Sequence, residues 1–268
     1  MQDLDFLAGI AREAGKAILE VYDTEFEVER KEDHSPLTLA DKRSHRIIAD
    51  ALRSRFPEIP VLSEEGREVP FDIRCTWPRF WLVDPLDGTK EFVKRNGEFT
   101  INIALIEGTA PVLGLIYIPV QNRLFLGKVG EGCWEESANG RKRLKVADAP
   151  AESPVRIVRS RSHPAPGLEH LLELIPSHEI ISRGSALKFC AVAAGEADFY
   201  PRFGPTWEWD TAAGQAIVTA AGGIMLSLSG KPFVYNKENL LNGPFLVSSS
   251  RAWLEKTGIL RRASELRV

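Results

Sequence analysis

The order of hydrophobic periodicities along the chain limits the folds available to it. Apolar side chains recur at helical spacing across residues 4–22 and again across residues 47–56, which predicts two amphipathic helices. Residues 99–106 then alternate large apolar with smaller or polar side chains, and apolar runs follow at 111–118 and 124–129. The first half therefore predicts two helices followed by a largely antiparallel, meander-like sheet.

Strands and helices alternate in the second half of the chain, which predicts an α/β lobe. The predicted strands cover 155–158, 179–182 and 197–200, and the predicted helices cover 168–175, 185–194 and 211–221. Residues 149–154 carry two prolines and no apolar stripe, so we expect the boundary there. The prediction is an α+β lobe over residues 1–150 and an α/β lobe over residues 151–268.

The charge balance narrows the class of ligand. The chain has 268 residues, with 34 Lys and Arg against 37 Asp and Glu. Because binding of a nucleic-acid polymer usually needs a strongly basic face, we expect no such partner. A small phosphorylated ligand needs only a few local cations and stays possible.

Cysteine spacing and the lack of a long apolar run bear on location. Cys75, Cys133 and Cys190 lie too far apart in sequence for a zinc site or a disulfide framework, which is typical of reduced thiols. The first residues are acidic, and the longest uncharged run, 211–230, is interrupted by glycines. These features predict a cytoplasmic protein without a transmembrane segment.

An acidic motif follows the apolar residues 80–83. Asp84 and Asp87 are separated by a proline and a leucine and followed by Gly88 and Thr89. Proline restricts φ and glycine permits positive φ, so we expect a sharp turn that points both carboxylates into one space. Thr89 then begins a helix whose amides could face an anion. The alternative is a turn that only caps a strand and a helix.

Two further acidic sites share this placement at the end of an element. Glu64 and Glu65 follow the short apolar run at 61–62, and Asp210 begins the helix predicted at 211–221. Taken alone, the glutamates could form a solvated turn and Asp210 a helix N-cap. Together, three acidic sites next to strands or helices suit hard divalent cations, and two Mg²⁺ ions can clamp a phosphoryl transfer.

A haloacid-dehalogenase-type phosphatase is a competing hypothesis that the spacing excludes. Those enzymes carry Asp-x-Asp-Gly-Thr, whereas here one more residue separates Asp84 from Asp87. The longer spacing would misplace the second carboxylate.

The chain resembles the inositol monophosphatase superfamily. The resemblance rests on three motifs in order, a Glu-Glu pair, Asp-Pro-Leu-Asp-Gly-Thr and Trp-Asp-x-Ala-Ala, which stand at 64–65, 84–89 and 209–213. It extends from the first helix to about residue 250 and is most similar to the 3′(2′),5′-bisphosphate nucleotidases of that superfamily. It implies a fold of mixed α+β and α/β type, a layered α-β-α-β-α sandwich shared with fructose-1,6-bisphosphatase.

The resemblance also implies a metal site and a catalytic pair. One Mg²⁺ would be held by Glu64, Asp84 and the backbone carbonyl of Leu86, and a second by Asp84, Asp87 and Asp210. A third, weaker ion near Glu64 and inhibition by Li⁺ would be expected as well. Thr89, oriented by Asp41, would help to deprotonate the attacking water, with Glu65 acting through a water or a neighbouring group. Without the resemblance, Asp41 would be read as a first-turn acid favoured by the helix dipole and Thr89 as a cap.

Substrate contacts are implied for the second lobe. Ser185, Lys188, Arg202 and His163 would contact a nucleotide, and the residues of the metal site would meet its reacting phosphate, namely Glu64, Leu86, Asp87, Gly88, Thr89 and Asp210. Otherwise Lys188 would lie on the exposed face of an alanine-rich helix, and His163 would be an ordinary histidine. A bisphosphate brings a second phosphate that needs these cations, which favours a nucleotide over an inositol phosphate.

The expected reaction is Mg²⁺-dependent hydrolysis of the 3′-phosphate of adenosine 3′,5′-bisphosphate to AMP, in sulfate assimilation. The sulfated analogue is a second candidate substrate. Alternatives are an inositol monophosphatase or sugar bisphosphatase on the same fold, and a non-catalytic protein that binds phosphorylated ligands. We expect a monomer or homodimer, either free in the cytoplasm or peripheral on the inner membrane.

Overall fold

The computed structural model describes residues 2–24, 28–30, 36–148, 154–162 and 167–266. The helices there are α1 Gln2–Tyr22, α2 Leu39–Arg55, α3 Phe71–Arg74, α4 Thr89–Val93, α5 Leu168–Leu172, α6 Leu187–Ala193, α7 Glu208–Ala220, α8 Arg251–Lys256 and α9 Ile259–Glu265. The strands are β1 Val28–Arg30, β2 Pro36–Thr38, β3 Val61–Ser63, β4 Arg79–Asp87, β5 Thr100–Glu107, β6 Ala110–Ile118, β7 Arg123–Lys128, β8 Gly132–Ser137, β9 Gly140–Leu144, β10 Val155–Ser160, β11 His178–Arg183, β12 Phe199–Arg202, β13 Thr206–Trp207, β14 Ile224–Ser227, β15 Leu241–Asn242 and β16 Phe245–Ser248. None of these helices combines the length and the apolarity that a membrane crossing requires.

The first large sheet is a meander, as predicted. Its seven strands run in the order β3-β4-β5-β6-β7-β8-β9, so every strand pairs with its neighbour in sequence. β3 and β4 are parallel, and the pairs that follow are antiparallel. β8 and β9 were not expected, because most of their side chains are partly or fully exposed and leave no clear apolar period.

The second large sheet is mixed, with five strands in the order β11-β10-β12-β16-β14. β10, β11 and β12 are the three strands predicted for this half, and β10 pairs in parallel with the other two. β16 is antiparallel to β12 and β14. After residue 250 the chain forms two short helices, α8 and α9. They are separated by Gly258, whose φ of 76° a helix does not allow.

The helices and sheets stack in five layers. α1 and α2 pack on one face of the first sheet, α6 and α7 lie between the two sheets, and α5, α8 and α9 cover the outer face of the second. The alternation in β5 explains the first two interfaces, since Ile101 and Ile103 face α1 and α2 while Ala104 and Ile106 face the middle layer. The predicted α-β-α-β-α sandwich is confirmed.

α7 joins the two halves of the sequence, because it packs directly on strands of the first sheet. A Cβ atom on Gly114 of β6 would lie 2.3 Å from the carbonyl oxygen of Ala213, and one on Gly127 of β7 would lie 2.6 Å from Cα of Ile217. The two glycines therefore let the helix approach the sheet backbone. Residues of both proposed lobes share the middle core, while residues 149–153, within the proposed boundary, lie outside the described ranges.

Candidate active site

A bulge in β4 brings two carboxylates to one side of the strand. Asp84 pairs with Asn102 and Asp87 pairs with Thr100, so three steps along β4 match two steps along β5. Residues three apart on a regular strand face opposite sides, and the one inserted residue puts Asp84 and Asp87 on the same side. The proline between them has no amide hydrogen to leave unpaired. The predicted sharp turn is therefore wrong in form, although both carboxylates do line one pocket.

The end of β4 leads directly into α4. Gly88 has a φ of 90°, a conformation that favours glycine, and Thr89 is the first residue of the helix. Gly88 and Thr89 both line the pocket with Asp84 and Asp87. A helix beginning at Thr89 agrees with the prediction, although it ends at Val93.

Two other elements supply the remaining carboxylates. Glu64 follows β3, and its amide donates to the carbonyl of Val83 at 3.1 Å, which keeps it beside the end of β4. Asp210 lies in the first turn of α7, where Oδ2 accepts a hydrogen bond from the amide of Trp207 at 2.8 Å. The expected N-cap role is wrong, because the helix begins at Glu208 and Asp210 is its third residue.

The carboxylates crowd one another in a buried space. Burial raises the pKa of Asp84 well above its usual value, and the charges of Glu64, Asp87, Asp210 and Asp41 raise it further. The pKa of Asp210 is also raised well above its usual value, first by burial and then by Asp87 and Glu64. Such a set is stabilised by a bound cation.

The donor set fits a hard divalent cation, which prefers carboxylate and carbonyl oxygens. The pocket of about 270 Å³ is lined by five acids, Glu64, Asp84, Asp87, Glu91 and Asp210, and by Leu86. Within the described ranges, no three acidic, histidine or cysteine side chains already stand at the spacing of a formed metal site. Instead Asp84 accepts from the amide of Leu86 at 3.1 Å, and Asp87 and Asp210 also accept local hydrogen bonds.

Asp41 is held close to this group by α2. It is 1% exposed in the first turn of the helix, and its charge contributes to the raised pKa of Asp84. Ser44, three residues later on the same helix face, donates to the carbonyl of Pro85 at 2.7 Å. This hydrogen bond ties α2 to the β4 bulge.

A second wall of the pocket carries cations. Lys188 on α6 and Arg202 at the end of β12 line the same pocket as the acids. Lys188 is 5% exposed, so the alternative of an exposed helix face is wrong. Its Nζ donates to the carbonyl of Ser185 and lies 5.6 Å from the centre of the Tyr200 ring. Burial lowers the pKa of Lys188 to about 8, although Asp87 acts in the opposite direction.

Ser185 connects the two walls. Its φ of 46° places it in the left-handed region, and its hydroxyl donates to the Asp87 backbone carbonyl at 3.1 Å and also to the carboxylate. The same hydroxyl lies 2.7 Å from Oγ1 of Thr100. Ser185 therefore orients Asp87 as well as facing the pocket.

Comparison with known proteins decides the family. The Inositol monophosphatase family matches residues 2–266. The chain is 49% identical over 248 residues to "3′(2′),5′-bisphosphate nucleotidase CysQ" of Escherichia coli strain K12, covering 91% of this chain and 99% of the relative. This chain belongs to the inositol monophosphatase family.

Solved structures of the inositol monophosphatase family share the fold. CysQ from Bacteroides thetaiotaomicron superposes with a TM-score of 0.80 at 40% identity, covering 92% of this chain and 97% of that one. SaIMPase-II with 2′AMP bound superposes with a TM-score of 0.77 at 26% identity, covering all of both chains. The family consists of metal-dependent phosphatases, and sensitivity to Mg²⁺ and Li⁺ is typical of it.

Two of the expected catalytic residues, Asp41 and Glu65, do not line the pocket itself. Glu65 lines a separate pocket with residues of α2, namely Lys42, His45, Arg46 and Asp50, whereas Glu64 lines the carboxylate pocket. Burial lowers the pKa of His45 in this second pocket, and the charge of Glu65 acts in the opposite direction. The two glutamates are the central residues of a tight turn, closed by the hydrogen bond from the Gly66 amide to the Ser63 carbonyl at 2.9 Å. His163 lies outside the described residues.

Some site residues were not identified from sequence. Thr100 and Asn102 of β5 are buried, and their side chains lie 3.5 and 3.4 Å from Oδ2 of Asp87. The sequence feature that could have identified Thr100 and Asn102 is their position on the predicted strand that follows the acidic motif. Trp207, which also lines the pocket, carried no signal beyond being next to the Trp209 motif.

Proposed function

We propose that this chain hydrolyses the 3′-phosphate of adenosine 3′,5′-bisphosphate, giving AMP and phosphate. The observation that carries the proposal is the pairing of an acidic wall with Lys188 and Arg202 in one pocket. A bisphosphate has one phosphate to be cleaved at the acids and another that needs a cation. The identity of 49% to a bisphosphate nucleotidase over nearly its whole length supports the same substrate.

The acidic wall would hold Mg²⁺ through carboxylates and one carbonyl, with Glu64, Asp84, Leu86, Asp87 and Asp210 as the ligands. Bound Mg²⁺ would lower the pKa of water and neutralise the negative charge of the phosphate. We place two or three ions in the site and expect Li⁺ to inhibit. Ser185, Thr100 and Asn102 orient Asp87 by the contacts described above.

Thr89 and Asp41 handle the proton of the attacking water in this proposal. Thr89 lines the pocket at the start of α4, next to Gly88 and Asp87. Asp41 is buried beside Asp84 and is fixed by α2, so it can orient the Thr89 hydroxyl. Glu65 lies on the other pocket, and we assign it no direct contact with the substrate.

Ser185, Lys188 and Arg202 bind the phosphate that is not cleaved. Lys188 is buried at the pocket and held by the Ser185 carbonyl, so its ammonium group is directed rather than free to move with solvent. We also propose His163 as a substrate contact. The sulfated analogue carries the same two anionic ends and is the second candidate substrate. A cytoplasmic role in sulfate assimilation, as a monomer or homodimer, completes the proposal.

The test is turnover of adenosine 3′,5′-bisphosphate and inositol 1-phosphate side by side in Mg²⁺. We expect kcat/KM to be higher for the nucleotide by about a hundredfold, since a buried cation left unpaired by the wrong substrate is costly. A preference for inositol 1-phosphate would instead make the chain an inositol monophosphatase. Activity unchanged in Asp84→Asn would exclude the acidic wall as the reaction centre.

A further inference from the structure

A tryptophan lies at the rim of the carboxylate pocket. Trp207 lines the pocket and is 39% exposed, whereas the aromatic residues deeper in the same lining, Phe189 and Tyr200, are each 2% exposed. Trp207 therefore presents a flat apolar surface to the opening of a pocket whose interior is charged. None of the roles assigned above uses this surface.

The indole is held rigidly. Its plane is tilted only 12° from that of Trp209, with 5.4 Å between ring centres, so protein covers one face of the ring. The Trp207 amide donates to Asp210, and its carbonyl accepts from Nδ2 of Asn242 at 2.8 Å. Because ring and backbone are already ordered, binding to the exposed part of the ring costs little conformational entropy.

The indole and one of the phosphate-binding cations belong to the same wall. The Arg202 guanidinium donates to the carbonyls of Gly204 at 3.2 Å and Pro205 at 3.1 Å, in the loop that leads to Trp207. A nucleoside bisphosphate carries its base and both phosphates on a single ribose. With the phosphates between the acids and Arg202, the base has to leave the pocket at the rim.

We propose that Trp207 is the platform on which the nucleobase of the substrate stacks. The inference rests on the proposed function and names a residue that determines its specificity. Every base has a π face, so stacking adds affinity for nucleotides as a class and discriminates weakly among bases. Trp207 thus favours a nucleotide over an inositol or sugar phosphate, while the metal site that the acids would form serves the phosphate that all of them share.

The test compares Trp207→Ala and Trp207→Phe with the wild type in Mg²⁺. For adenosine 3′,5′-bisphosphate, we expect KM of Trp207→Ala to rise about tenfold or more, the size of a lost base–aromatic stack. The loss of kcat/KM on inositol 1-phosphate should be several times smaller. Trp207→Phe should restore most of the nucleotide KM, because phenylalanine keeps an aromatic face.

Leu241→Ala is the matched control. Leu241 pairs with Trp207 across the β13–β15 ladder and is also 39% exposed, but it does not line the pocket. Its substitution should leave the nucleotide KM within about twofold, as is usual for exposed positions. AMP should also quench the tryptophan fluorescence of the wild type more than that of Trp207→Phe.

Two results would overturn the inference. One is a nucleotide KM in Trp207→Ala equal to that of the wild type. The other is an equal loss on both substrates, which would mean that the indole only supports the pocket. A wild type that prefers inositol 1-phosphate would defeat the proposed function, and that failure is visible before any variant is made.

Discussion

At the scale of single residues, Lys188 is a buried lysine that lies beside the pocket where we propose the substrate phosphate binds. Burial and the neighbouring Arg202 disfavour its ammonium form, and Asp87 favours it, with the pKa at about 8 as the result. Below that pH the free protein holds a poorly solvated positive charge. A substrate phosphate relieves this cost, so the contact contributes more to binding than an exposed lysine would.

The pH dependence of binding follows from this balance. Because the folded pKa is lowered to about 8, Lys188 is charged below that pH and becomes neutral as pH rises through it. We expect KM for adenosine 3′,5′-bisphosphate to rise between about pH 7 and about pH 9, where the substrate phosphates no longer titrate. Lys188→Arg, which stays charged, should remove this dependence.

Lys188→Ala separates binding from chemistry. It should raise KM for the bisphosphate by about tenfold or more, the loss of one charge-assisted contact, with a smaller effect on kcat. An equal loss on a nucleoside monophosphate would show that Lys188 does not serve the second phosphate.

At the scale of elements, α7 sets the distance between Asp210 and the acids of the first sheet. The helix carries Asp210 in its first turn and lies on Gly114 and Gly127 of the first sheet. A buried carboxylate, Glu208, accepts from the amides of Asn236 and Lys237 at 2.7 and 3.0 Å and fixes the start of the helix. The metal site is therefore positioned by helix–sheet packing as well as by the β4 bulge.

Gly114→Ala tests this packing. The added Cβ would lie 2.3 Å from the Ala213 carbonyl oxygen and 2.9 Å from Cβ of Ala216, so the helix must move. We expect a loss of about 1–3 kcal/mol in the free energy of unfolding, measured in urea, together with lower activity as Asp210 shifts. Gly9→Ala is the control, since Gly9 lies on the exposed face of α1 and nothing is within 4 Å of the added Cβ. This substitution should be neutral or stabilising.

Helices and strands could be predicted where the spacing of their apolar residues reflects which of their faces are buried. β5 alternates because its two faces meet different helix layers, and its strand was recognised from that alternation. β16 is buried along its whole length and pairs with β12 and β14, which are distant in sequence, so it has no period to detect. Such a strand is hard to predict for a physical reason, because the local sequence pattern does not depend on which distant strand it pairs with.

The site shows the same division. Asp84, Asp87 and Glu64 could be found because they come after short apolar runs in the sequence. The bulge could not, since it depends on how β4 and β5 are registered. The burial of Lys188 and the rim position of Trp207 depend on which elements pack against them. The family resemblance implied Lys188 as a substrate contact, but it gave no indication of Trp207.

At the scale of the whole molecule, the acidic pocket opposes folding in the absence of cations. The pKa of Asp84 and that of Asp210 are raised in the folded protein. The folded protein therefore binds protons at these carboxylates more tightly than the unfolded chain does. The metal-free protein therefore loses stability as pH rises from the unfolded pKa through the raised one. Metal binding reverses this loss by binding only the folded state.

Mg²⁺ should therefore raise the melting temperature. At about 100 times its dissociation constant it adds about 2.7 kcal/mol, which corresponds to roughly 5–10 °C in a chain of this size. Asp84→Asn should melt higher than the wild type without metal, because one repelling charge is gone, and should show little shift with Mg²⁺. A full Mg²⁺ shift in Asp84→Asn would contradict the ligand assignment.

The place of β16 in the second sheet has a consequence for synthesis on the ribosome. This strand lies between β12 and β14, so neither can complete its pairing before residues 245–248 have been made. Arg202 is the last residue of β12 in that sheet, and Asp210 belongs to α7, which packs in the core between the two sheets. A growing chain thus carries Asp84 and Asp87 for most of its translation without being able to use them. We therefore expect catalytic competence only after the last strand, β16, has entered the second sheet.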